Sequence, residues 1–558
     1  MAGGVEVAAG PGPLLQSQAP LPEAAMWTRY LIIALLALVP VVPAHAQPAA
    51  TGAKVAVSGH VYLDRDGRPG RGSADDGVAD VAVSNGTHIV RTDAQGRFRI
   101  DADPGGHVFV IKPAGHRFVA AADGLPAFWR KVPEAGIVDL DFGLARGARP
   151  GSAIGGSGAD DVQVLLFTDP QVKGERDIDY YRRDIVAPIV GRHPAALGVG
   201  LGDLVDDEVQ LYPALNAVTV QLGVPWFHVP GNHDVDPGST TDAGSLASWS
   251  ATYGPDTYAV EEGDAAFVFL DDVIVQAGQG PGYIGGLRED QFQFLGRYLA
   301  QLPRERLLVL GMHIPVFDTG GRETFRAADR ARLFALLKDR PHVLLLSGHS
   351  HVQQHYWHAA RDGWQGAAPL HEYNIGAACG AFWSGAPDAQ GIPDATMADG
   401  TPNGYAVLSV GGGGGYSLAY HPARAPDGRP AFTQAIALHA PRALRRGAYP
   451  AWGVFANVFM GDADTRVDYR VDGGPWKPMR RVERTDPRLL VENVADDLAT
   501  TLRGFDRSPE AVPSTHLWRG ALPTDLSAGE HRVEVRALDR WEGETTASTT
   551  YSLQDAAP

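Results

Sequence analysis

The side chains best suited to chemistry in this chain of 558 residues are metal-ion donors, and they cluster between residues 169 and 351. Five short motifs contain them, in this order: Asp169 with Gln171, GDLVD from Gly202 to Asp206, GNHD from Gly231 to Asp234, His313 in GMHIP, and GHSH from Gly348 to His351. Carboxylate, amide and imidazole donors without a thiolate form a hard-to-borderline set, which suits Mn²⁺, Fe, Zn²⁺ or Mg²⁺ and does not select one of them. The motifs therefore predict a divalent-metal site.

Two divalent ions about 3.5–4 Å apart can bind one phosphoryl group, orient a hydroxide and neutralise charge on the attacking and leaving oxygens. Such a pair needs a carboxylate that gives one oxygen to each ion. Asp203 in GDLVD is the natural candidate. We therefore expect Asp203 to bridge the two ions.

Each motif ends or follows an apolar run typical of a β-strand. The runs are VQVLLF before Asp169, ALGVGL before Asp203, PWFHV before Asn232, RLLVLG before His313 and HVLLLS before His349. Amphipathic helical patterns alternate with them, as in EDQFQFLGRYLAQL. This alternation predicts an α/β layered sandwich whose loops at the strand ends carry the site.

The flanking regions predict β structure. Residues 54–143 contain short alternating segments separated by Asp-Gly, Asn-Gly and Gln-Gly turns, which indicates an N-terminal β-sandwich. A Gly/Ala/Ser-rich stretch at 144–160 indicates a linker before the catalytic domain at 161–410. Alternating strands return in 411–558, which we interpret as a C-terminal β-rich module of immunoglobulin or fibronectin type. The glycines at 411–415 lack the Lys-Ser/Thr of a phosphate loop and indicate a turn or hinge.

The N-terminal residues predict export. Residues 26–46 combine the basic Arg29, an apolar run and small residues at Ala44 and Ala46, a pattern typical of a signal peptide cleaved after Ala46. Residues 1–25 lack this pattern, and we interpret them as an over-extended gene start. We therefore expect a periplasmic or extracellular protein with no transmembrane anchor after cleavage. An uncleaved anchor is the alternative, although the apolar run is shorter than a spanning helix needs.

Composition excludes some partners and some chemistry. Lys and Arg total 48 against 65 Asp and Glu, a net charge of −17, which argues against a nucleic-acid polymer as partner or substrate. The single cysteine, Cys379, excludes an intramolecular disulfide, and its apolar surroundings favour a buried structural role over a nucleophile. Asp64, Asp66, Asp75 and Asp76 could bind Ca²⁺, although a solvated turn is the simpler interpretation.

Together, D-x-Q, GDLVDD, GNHD, the lone histidine of GMHIP and GHSH resemble the calcineurin-like metallophosphoesterase family over residues 162–352. The flanks resemble a secreted bacterial subgroup of that family with N- and C-terminal β modules, through segments such as NIGAACGAFWSG and STHLWRGALP. The resemblance implies a dinuclear hydrolase of phosphomonoesters or phosphodiesters.

The resemblance also implies a role for each matching residue. The first ion would be held by Asp169, Gln171, Asp203 and His351, and the second by Asp203, Asn232, His313 and His349. His233 would be the general acid, with Asp206 orienting it. Many members of the family have histidine where this chain has Gln171, so we expect weaker, more exchangeable metal at the first position.

Substrate recognition and overall function leave alternatives open. Phe382, Trp383 and Tyr405 lie in an aromatic, Gly-rich segment after GHSH and could shape the substrate pocket or pack between domains. The leading function is a secreted, two-metal hydrolase of a small phosphoester. The alternative is a cell-surface binding or scaffold protein with a vestigial metal site. The sequence does not indicate an oligomeric state.

Overall fold

The computed structural model describes residues 53–67, 70–147, 161–276, 278, 280, 282–318, 322–423 and 431–556. The predicted signal peptide at 26–46, the segment 1–25 and most of the predicted linker lie outside these residues. Within the described part of the chain, no helix is long and apolar enough to cross a bilayer.

The N-terminal region consists of ten strands in two sheets. The strands are β1 (Val55–Leu63), β2 (Asp76–Gly77), β3 (Ala82–Ser84), β4 (Ile89–Arg91), β5 (Arg97–Ala102), β6 (His107–Val110), β7 (His116–Phe118), β8 (Trp129–Lys131), β9 (Ile137–Asp139) and β10 (Phe142–Arg146). The long strand β1 organises the six-stranded sheet, where it pairs with β2, β5, β9 and β10, and β7 joins through β10. The second sheet has the order β4-β3-β6-β8. Alternating buried and exposed residues in β5 show one face turned to the core.

The central region alternates strands with helices. Its elements are β11 (Val162–Phe167), α1 (Glu175–Tyr181), β12 (Ala195–Leu201), α2 (Tyr212–Thr219), β13 (Trp226–Val229), α3 (Ala247–Thr252), β14 (Thr257–Glu262), β15 (Ala265–Leu270), β16 (Val273–Val275), β17 (Tyr283–Gly285), α4 (Glu289–Gln301), β18 (Leu307–Gly311), α5 (Ala327–Leu337), β19 (Val343–Ser347), β20 (Gln354–His358), β21 (Leu370–Asn374), β22 (Gly404–Val410) and β23 (Tyr416–Pro422). One sheet has the order β13-β12-β11-β22-β23 and the other β14-β15-β18-β19-β21-β20. Strands β11, β12 and β13 run parallel, as do β15, β18, β19 and β21.

The two central sheets pack face to face. Phe227 on β13 stacks on Phe269 on β15 with ring centroids 6.3 Å apart. The strands there are buried along their whole length, as expected for parallel strands covered on both faces. The predicted fold class, an α/β layered sandwich flanked by β modules, is confirmed.

The C-terminal region has its own core. Its elements are β24 (Ile436–His439), β25 (Ala443–Arg445), β26 (Gly453–Val458), β27 (Arg466–Val471), β28 (Lys477–Pro478), β29 (Arg480–Arg481), β30 (Arg484–Thr485), α6 (Pro487–Asp497), β31 (Pro513–Ser514), β32 (Leu517–Ala521), β33 (Gly529–Asp539) and β34 (Gly543–Gln554). Two sheets, β24-β26-β32-β29 and β25-β34-β33-β27-β28, enclose an apolar cluster separate from that of the rest of the molecule. Helix α6 was not predicted, although Asp486 caps it and Pro487 opens it, a common helix start.

One boundary differs from that expected, and the N-terminal region packs on its neighbour. Strands β22 and β23 form a hairpin in the catalytic sheet, so this sheet extends beyond the expected limit at residue 410, and the glycine run is the turn. The N-terminal region shares a continuous apolar core with the catalytic region, where Phe128 contacts Phe227 (5.8 Å between centroids) and Tyr258 (4.8 Å). A buried ion pair joins Lys112 to Glu262 at 2.6 Å. The N-terminal module is therefore packed against the catalytic region.

Candidate metal centre

The predicted ligands lie on loops at the carboxyl ends of five parallel strands from both central sheets. Asp169 and Gln171 follow β11, and Asp203 follows β12. The remaining ligands follow β13, β18 and β19 in the same way: Asn232, His313, His349 and His351. Backbone hydrogen bonds tie these loops together. Asp169 N–H donates to the carbonyl of Gly202 (3.1 Å), and Gln171 N–H donates to that of Asp203 (3.0 Å).

Three of the predicted ligands converge closely. One donor atom from each of Asp203, His313 and His349 lies within 4.8 Å of the other two. His313 Nε2 is 3.3 Å from Asp203 Oδ2 and 3.2 Å from His349 Nδ1. The amide oxygen of Asn232 lies 3.2 Å from the same His313 nitrogen. These four residues are the set expected to hold the second ion.

The set expected for the first ion is less complete. His351 Nε2 lies 3.4 Å from Asp169 Oδ1. The Gln171 side chain donates from Nε2 to Asp206 Oδ1 at 3.0 Å. Its oxygen is 3.9 Å from the thiol of the buried Cys379. Gln171 can therefore offer only its neutral amide oxygen, a weaker ligand than the imidazole usual in relatives.

The loops hold their ligands in unusual backbone conformations. Asp169, Gln171, Asp203, His349 and His351 all have φ between 41° and 69°, a region that residues other than glycine rarely adopt. Such strain persists where surrounding structure determines the conformation, and it concentrates at functional sites.

Glycines allow the close approach of the loops. Gly202 has φ 89°, and a side chain there would collide with the ring of His313. A side chain at Gly231 would collide with the carboxylate of Asp203. The glycines of GDLVD and GNHD are thus steric requirements of the cluster.

The electrostatics of the cluster favour a cation. Burial disfavours a charged imidazole, yet Asp203, Asp169 and Asp272 raise the pKa of His313 to about 10. Burial would raise the pKa of Asp203, but His313 and its neighbours keep that pKa below its ordinary value. Burial, followed by the charge on His313, lowers the pKa of His349 to about 4. The neighbouring carboxylates stabilise a proton on the His313 ring, and a metal ion can take the place of that proton.

Residues behind the ligands fix their orientation. His313 Nδ1 lies 2.8 Å from the carbonyl of Leu201, which directs Nε2 toward the cluster. Likewise, His351 Nδ1 lies 2.6 Å from the carbonyl of Gly380 and leaves Nε2 facing Asp169. These are the contacts that select a tautomer in metal-binding histidines.

Two buried carboxylates hold the ligand loops through backbone groups. Asp272 accepts the N–H groups of His313 (3.0 Å) and Ile314 (3.0 Å). Asp234 accepts that of Gly231 at 2.8 Å. Burial raises the pKa of Asp272 to about 8 and, together with the charge of Asp203, that of Asp234 to about 7. The sequence reasoning missed Asp272, although it follows the apolar run AAFVFL as the ligands follow theirs.

The predicted general acid, His233, faces two carboxylates. Its Nδ1 lies 2.9 Å from Asp207 Oδ1 and 3.5 Å from Asp206 Oδ1, so Asp207 is the nearer partner. Asp206 instead contacts Lys173 Nζ at 3.0 Å. Burial opposes the charged ring, but Asp203 and these two aspartates raise the pKa of His233. Asp207 and Lys173 were missed, although the doubled aspartate of GDLVDD was a visible signal.

The three residues expected to shape the substrate pocket are in different environments. Phe382 is 49% exposed and stacks on the predicted ligand His351, 4.6 Å between centroids. Trp383 is buried, and its indole N–H donates to the carbonyl of Pro170, between two predicted ligands, at 2.9 Å. Tyr405 contacts His193 Nε2 at 2.8 Å and packs in the sheet beside Phe167. Phe382 and Trp383 thus border the cluster, whereas Tyr405 packs within the catalytic region.

Other histidines of the central region, and the acidic residues 64–76, have structural contacts. His358 pairs with Glu372 at 2.7 Å, and His355 lies 3.0 Å from His371 in a stack of aromatic rings. In the N-terminal region, Asp64, Asp66 and Asp75 come together, but Asp75 accepts the backbone N–H groups of Arg65 and Gly72. This is the arrangement of an ordered acidic turn.

Comparisons with known proteins cover most of the chain. The calcineurin-like phosphoesterase model matches residues 162–353, its N-terminal companion matches 67–147, and its C-terminal companion matches 372–544. A probable cyclic nucleotide phosphodiesterase from Rhodopseudomonas palustris is 32% identical over 178 residues, which are 30% of this chain and 61% of that protein. The match therefore spans less than two thirds of the relative's length.

Solved structures give weaker similarities. A purple acid phosphatase from yellow lupin (Lupinus luteus) seeds is 13% identical, with 62% of this chain and 67% of that chain covered and a TM-score of 0.36. A shaft pilin from Lactobacillus rhamnosus GG is 11% identical, with 22% of this chain and 55% of that chain covered and a TM-score of 0.12.

Proposed function

Because the chain belongs to the calcineurin-like phosphoesterase family, we propose that it is a secreted, metal-dependent hydrolase of small phosphomonoesters or phosphodiesters. The observation that carries this proposal is the convergence of donor atoms from Asp203, His313 and His349 within 4.8 Å. These three residues lie on loops that follow strands of both sheets, so their convergence depends on the whole layered core.

The donor set fits two divalent ions, each Mn, Fe, Zn or Mg. Asp169, Gln171, Asp203 and His351 would hold the first, and Asp203, Asn232, His313 and His349 the second. Bound ions would supply a hydroxide nucleophile at neutral pH and neutralise charge on the phosphoryl group. Asp203 suits the bridging position because one carboxylate oxygen faces His313 Nε2 and the other accepts the N–H of His233.

His233 delivers the proton that the leaving group requires. Its Nδ1 faces Asp207, so Nε2 is the nitrogen that can donate to the departing oxygen. The neighbouring aspartates favour the protonated ring, as a general acid needs. Asp207 and Asp206 act as positioning residues for this ring.

Small phosphoesters are the favoured substrates. The net charge of −17 opposes binding of an extended nucleic acid. The cyclic nucleotide phosphodiesterase relative supports diester hydrolysis as one of the two reactions to test.

A metal-supplemented assay tests the proposed function. After chelation, the protein is given Mn²⁺, Fe²⁺, Zn²⁺ or Mg²⁺ with 4-nitrophenyl phosphate or bis(4-nitrophenyl) phosphate. We expect at least one ion to restore hydrolysis of at least one substrate, and His233→Ala to abolish most of it. Failure with every ion and substrate would favour the binding or scaffold alternative.

Export is part of the same proposal. The pattern at residues 26–46 supports removal of a signal peptide and a mature chain beginning at Gln47. Mass spectrometry of the N-terminus after expression in a Gram-negative host tests this. A protein that remains in the cytoplasm with Met26 or Met1 intact would exclude it.

A further inference from the structure

Helix α6 exposes its aliphatic side chains. Leu490, Val491 and Val494 are 45%, 56% and 46% exposed, and Leu498, at the end of the helix, is 77% exposed. Surface helices ordinarily turn such residues toward the core and leave the polar ones outside. Here the residues of α6 that are buried are Leu489 and Asn493.

The orientation of α6 is fixed by polar contacts. Asn493 donates from Nδ2 to the carbonyl of Pro509 (2.8 Å) and accepts the N–H of Ala511 (2.9 Å). The Asp486 side chain caps the first turn through the N–H of Arg488 at 2.7 Å. The helix therefore cannot rotate its aliphatic side inward without losing buried hydrogen bonds.

Leu490, Val494 and Leu498 follow one another at four-residue spacing and so lie on one face of the helix. With Val491 and Leu502 they form what we call the apolar stripe. Leu498 lies about 12 Å along the helix axis from Leu490, from a rise of about 1.5 Å per residue. Leu502 lies beyond the helix, four residues after Leu498 along the chain, and is 98% exposed.

Leu502 of the stripe also lines a cavity whose wall includes Trp383. This cavity, of about 440 Å³, is bordered by Leu502, by the aromatic and proline side chains of Tyr180, Trp383, Pro387, Pro393 and Phe505, and by the charged side chains of Arg176 and Asp506. Trp383, in the cavity wall, is joined to the loop that carries Asp169 and Gln171, because its indole N–H donates to the carbonyl of Pro170. The catalytic and C-terminal regions therefore build this cavity together.

We propose that the cavity and the apolar stripe bind the alkyl chain of an amphiphilic phosphoester whose phosphoryl group lies at the metal centre. This inference rests on the proposed function and specifies its substrate class. The stripe offers aliphatic side chains without hydrogen-bonding groups, which suits an alkyl chain. Leu502 belongs both to the stripe and to the cavity wall, which favours a part of the substrate over a separate partner. Burial of the chain would cover exposed apolar surface that is otherwise costly to leave in water.

Two 4-nitrophenyl phosphodiesters test the inference, one with a methyl and one with an octyl group, both below the micellar concentration. In each, the oxygen of water bonds to phosphorus and the P–O bond to 4-nitrophenolate breaks, so the leaving group is the same. We expect kcat/KM for the octyl ester to exceed that for the methyl ester at least tenfold. Equal values would overturn the inference and leave the proposed function intact, whereas no turnover of either ester with any metal would overturn both.

A double variant, Leu498→Ser with Leu502→Ser, should bring the octyl-to-methyl ratio close to one. Ile137→Ser is the matched control, because Ile137 is an aliphatic residue of the N-terminal region that is 88% exposed. It should leave the ratio unchanged. A double variant that kept the wild-type octyl-to-methyl ratio would show that the inference is wrong. If sedimentation also showed that the variant dissociates a wild-type dimer, the stripe would cover a second copy of the chain.

Discussion

At the scale of single residues, the chemistry depends on how each donor is held. The backbone N–H of His233 donates a hydrogen bond to Asp203, and the ring nitrogen Nδ1 contacts Asp207. The His233 ring therefore has a defined direction relative to Asp203, the carboxylate proposed to bridge the two ions. Its removal should affect proton transfer without removing a metal ligand.

We predict that His233→Ala lowers kcat by about 10²–10⁴-fold, the usual contribution of a general acid. Metal content, measured by elemental analysis, should stay at the wild-type value. His88→Ala, at an exposed histidine of the N-terminal region, is the control. An unchanged kcat in His233→Ala would exclude the acid role.

Gln171 should limit affinity at the first metal position. Its amide nitrogen is engaged by Asp206, and an amide oxygen is a poorer donor than imidazole for borderline ions. We predict that Gln171→His tightens binding of the more weakly held ion by about tenfold or more, roughly 1.4 kcal/mol. Equilibrium dialysis against Zn²⁺ or Mn²⁺ measures this. Wild-type protein that kept both ions through gentle dialysis would contradict the weak-site interpretation.

At the scale of elements, loops that follow parallel strands carry the predicted ligands, and buried carboxylates hold these loops. Asp272 is the clearest case, because it accepts two consecutive N–H groups at the start of the His313 loop. We predict that Asp272→Asn weakens metal binding by about 10–100-fold, the usual effect of losing a partner behind the ligands. Isothermal titration of the chelated protein measures it. Asp139→Asn, at an exposed carboxylate, should have no effect.

The sequence predicted that the candidate ligands lie on loops after strands, and the structure has them there, because each motif is local and follows a recognisable apolar run. It also predicted the layered fold, since alternating strands and helices imply parallel sheets. It did not predict Asp207 as the nearer partner of His233, because the choice between two adjacent aspartates depends on side-chain geometry. It did not predict the support from Asp272, because that contact joins segments distant along the chain. The start of helix α6 was recognisable from Asp486 and Pro487. The outward direction of its apolar face was not, because it depends on the hydrogen bonds of Asn493 to Pro509 and Ala511.

At the scale of the whole molecule, the C-terminal region is tied to the metal loops by a buried polar network. Asp399 accepts the N–H of Gln353, two residues after His351, at 2.8 Å. The same carboxylate lies 3.0 Å from His516 Nε2 in the C-terminal region. Asn457 continues the network through His516 Nδ1 at 2.7 Å. The position of the C-terminal region is therefore coupled to the GHSH loop.

This network should make stability depend on pH. Burial alone would raise the pKa of Asp399, but His516 and the N–H groups of Gln353 and Thr401 lower it. The stabilisation is therefore fully present above the unfolded pKa of about 3.9 and is lost as pH falls through the lower, folded pKa. We predict that Asp399→Asn destabilises the protein at pH 7 by about 1–3 kcal/mol. Denaturant unfolding at pH 7 and at about pH 3 measures the difference, which should shrink at the lower pH. A difference independent of pH would contradict this account.

The central claim is that the five motifs build one two-ion centre around Asp203. Metal stoichiometry in the chelated and reloaded protein tests it most directly, with wild type and Asp203→Ala compared at saturating Mn²⁺ or Zn²⁺. We expect two ions per chain in the wild type and loss of tight binding at both positions in the variant, because Asp203 would contact both ions. A wild type that binds no ion, or a variant that still binds two, would contradict the account.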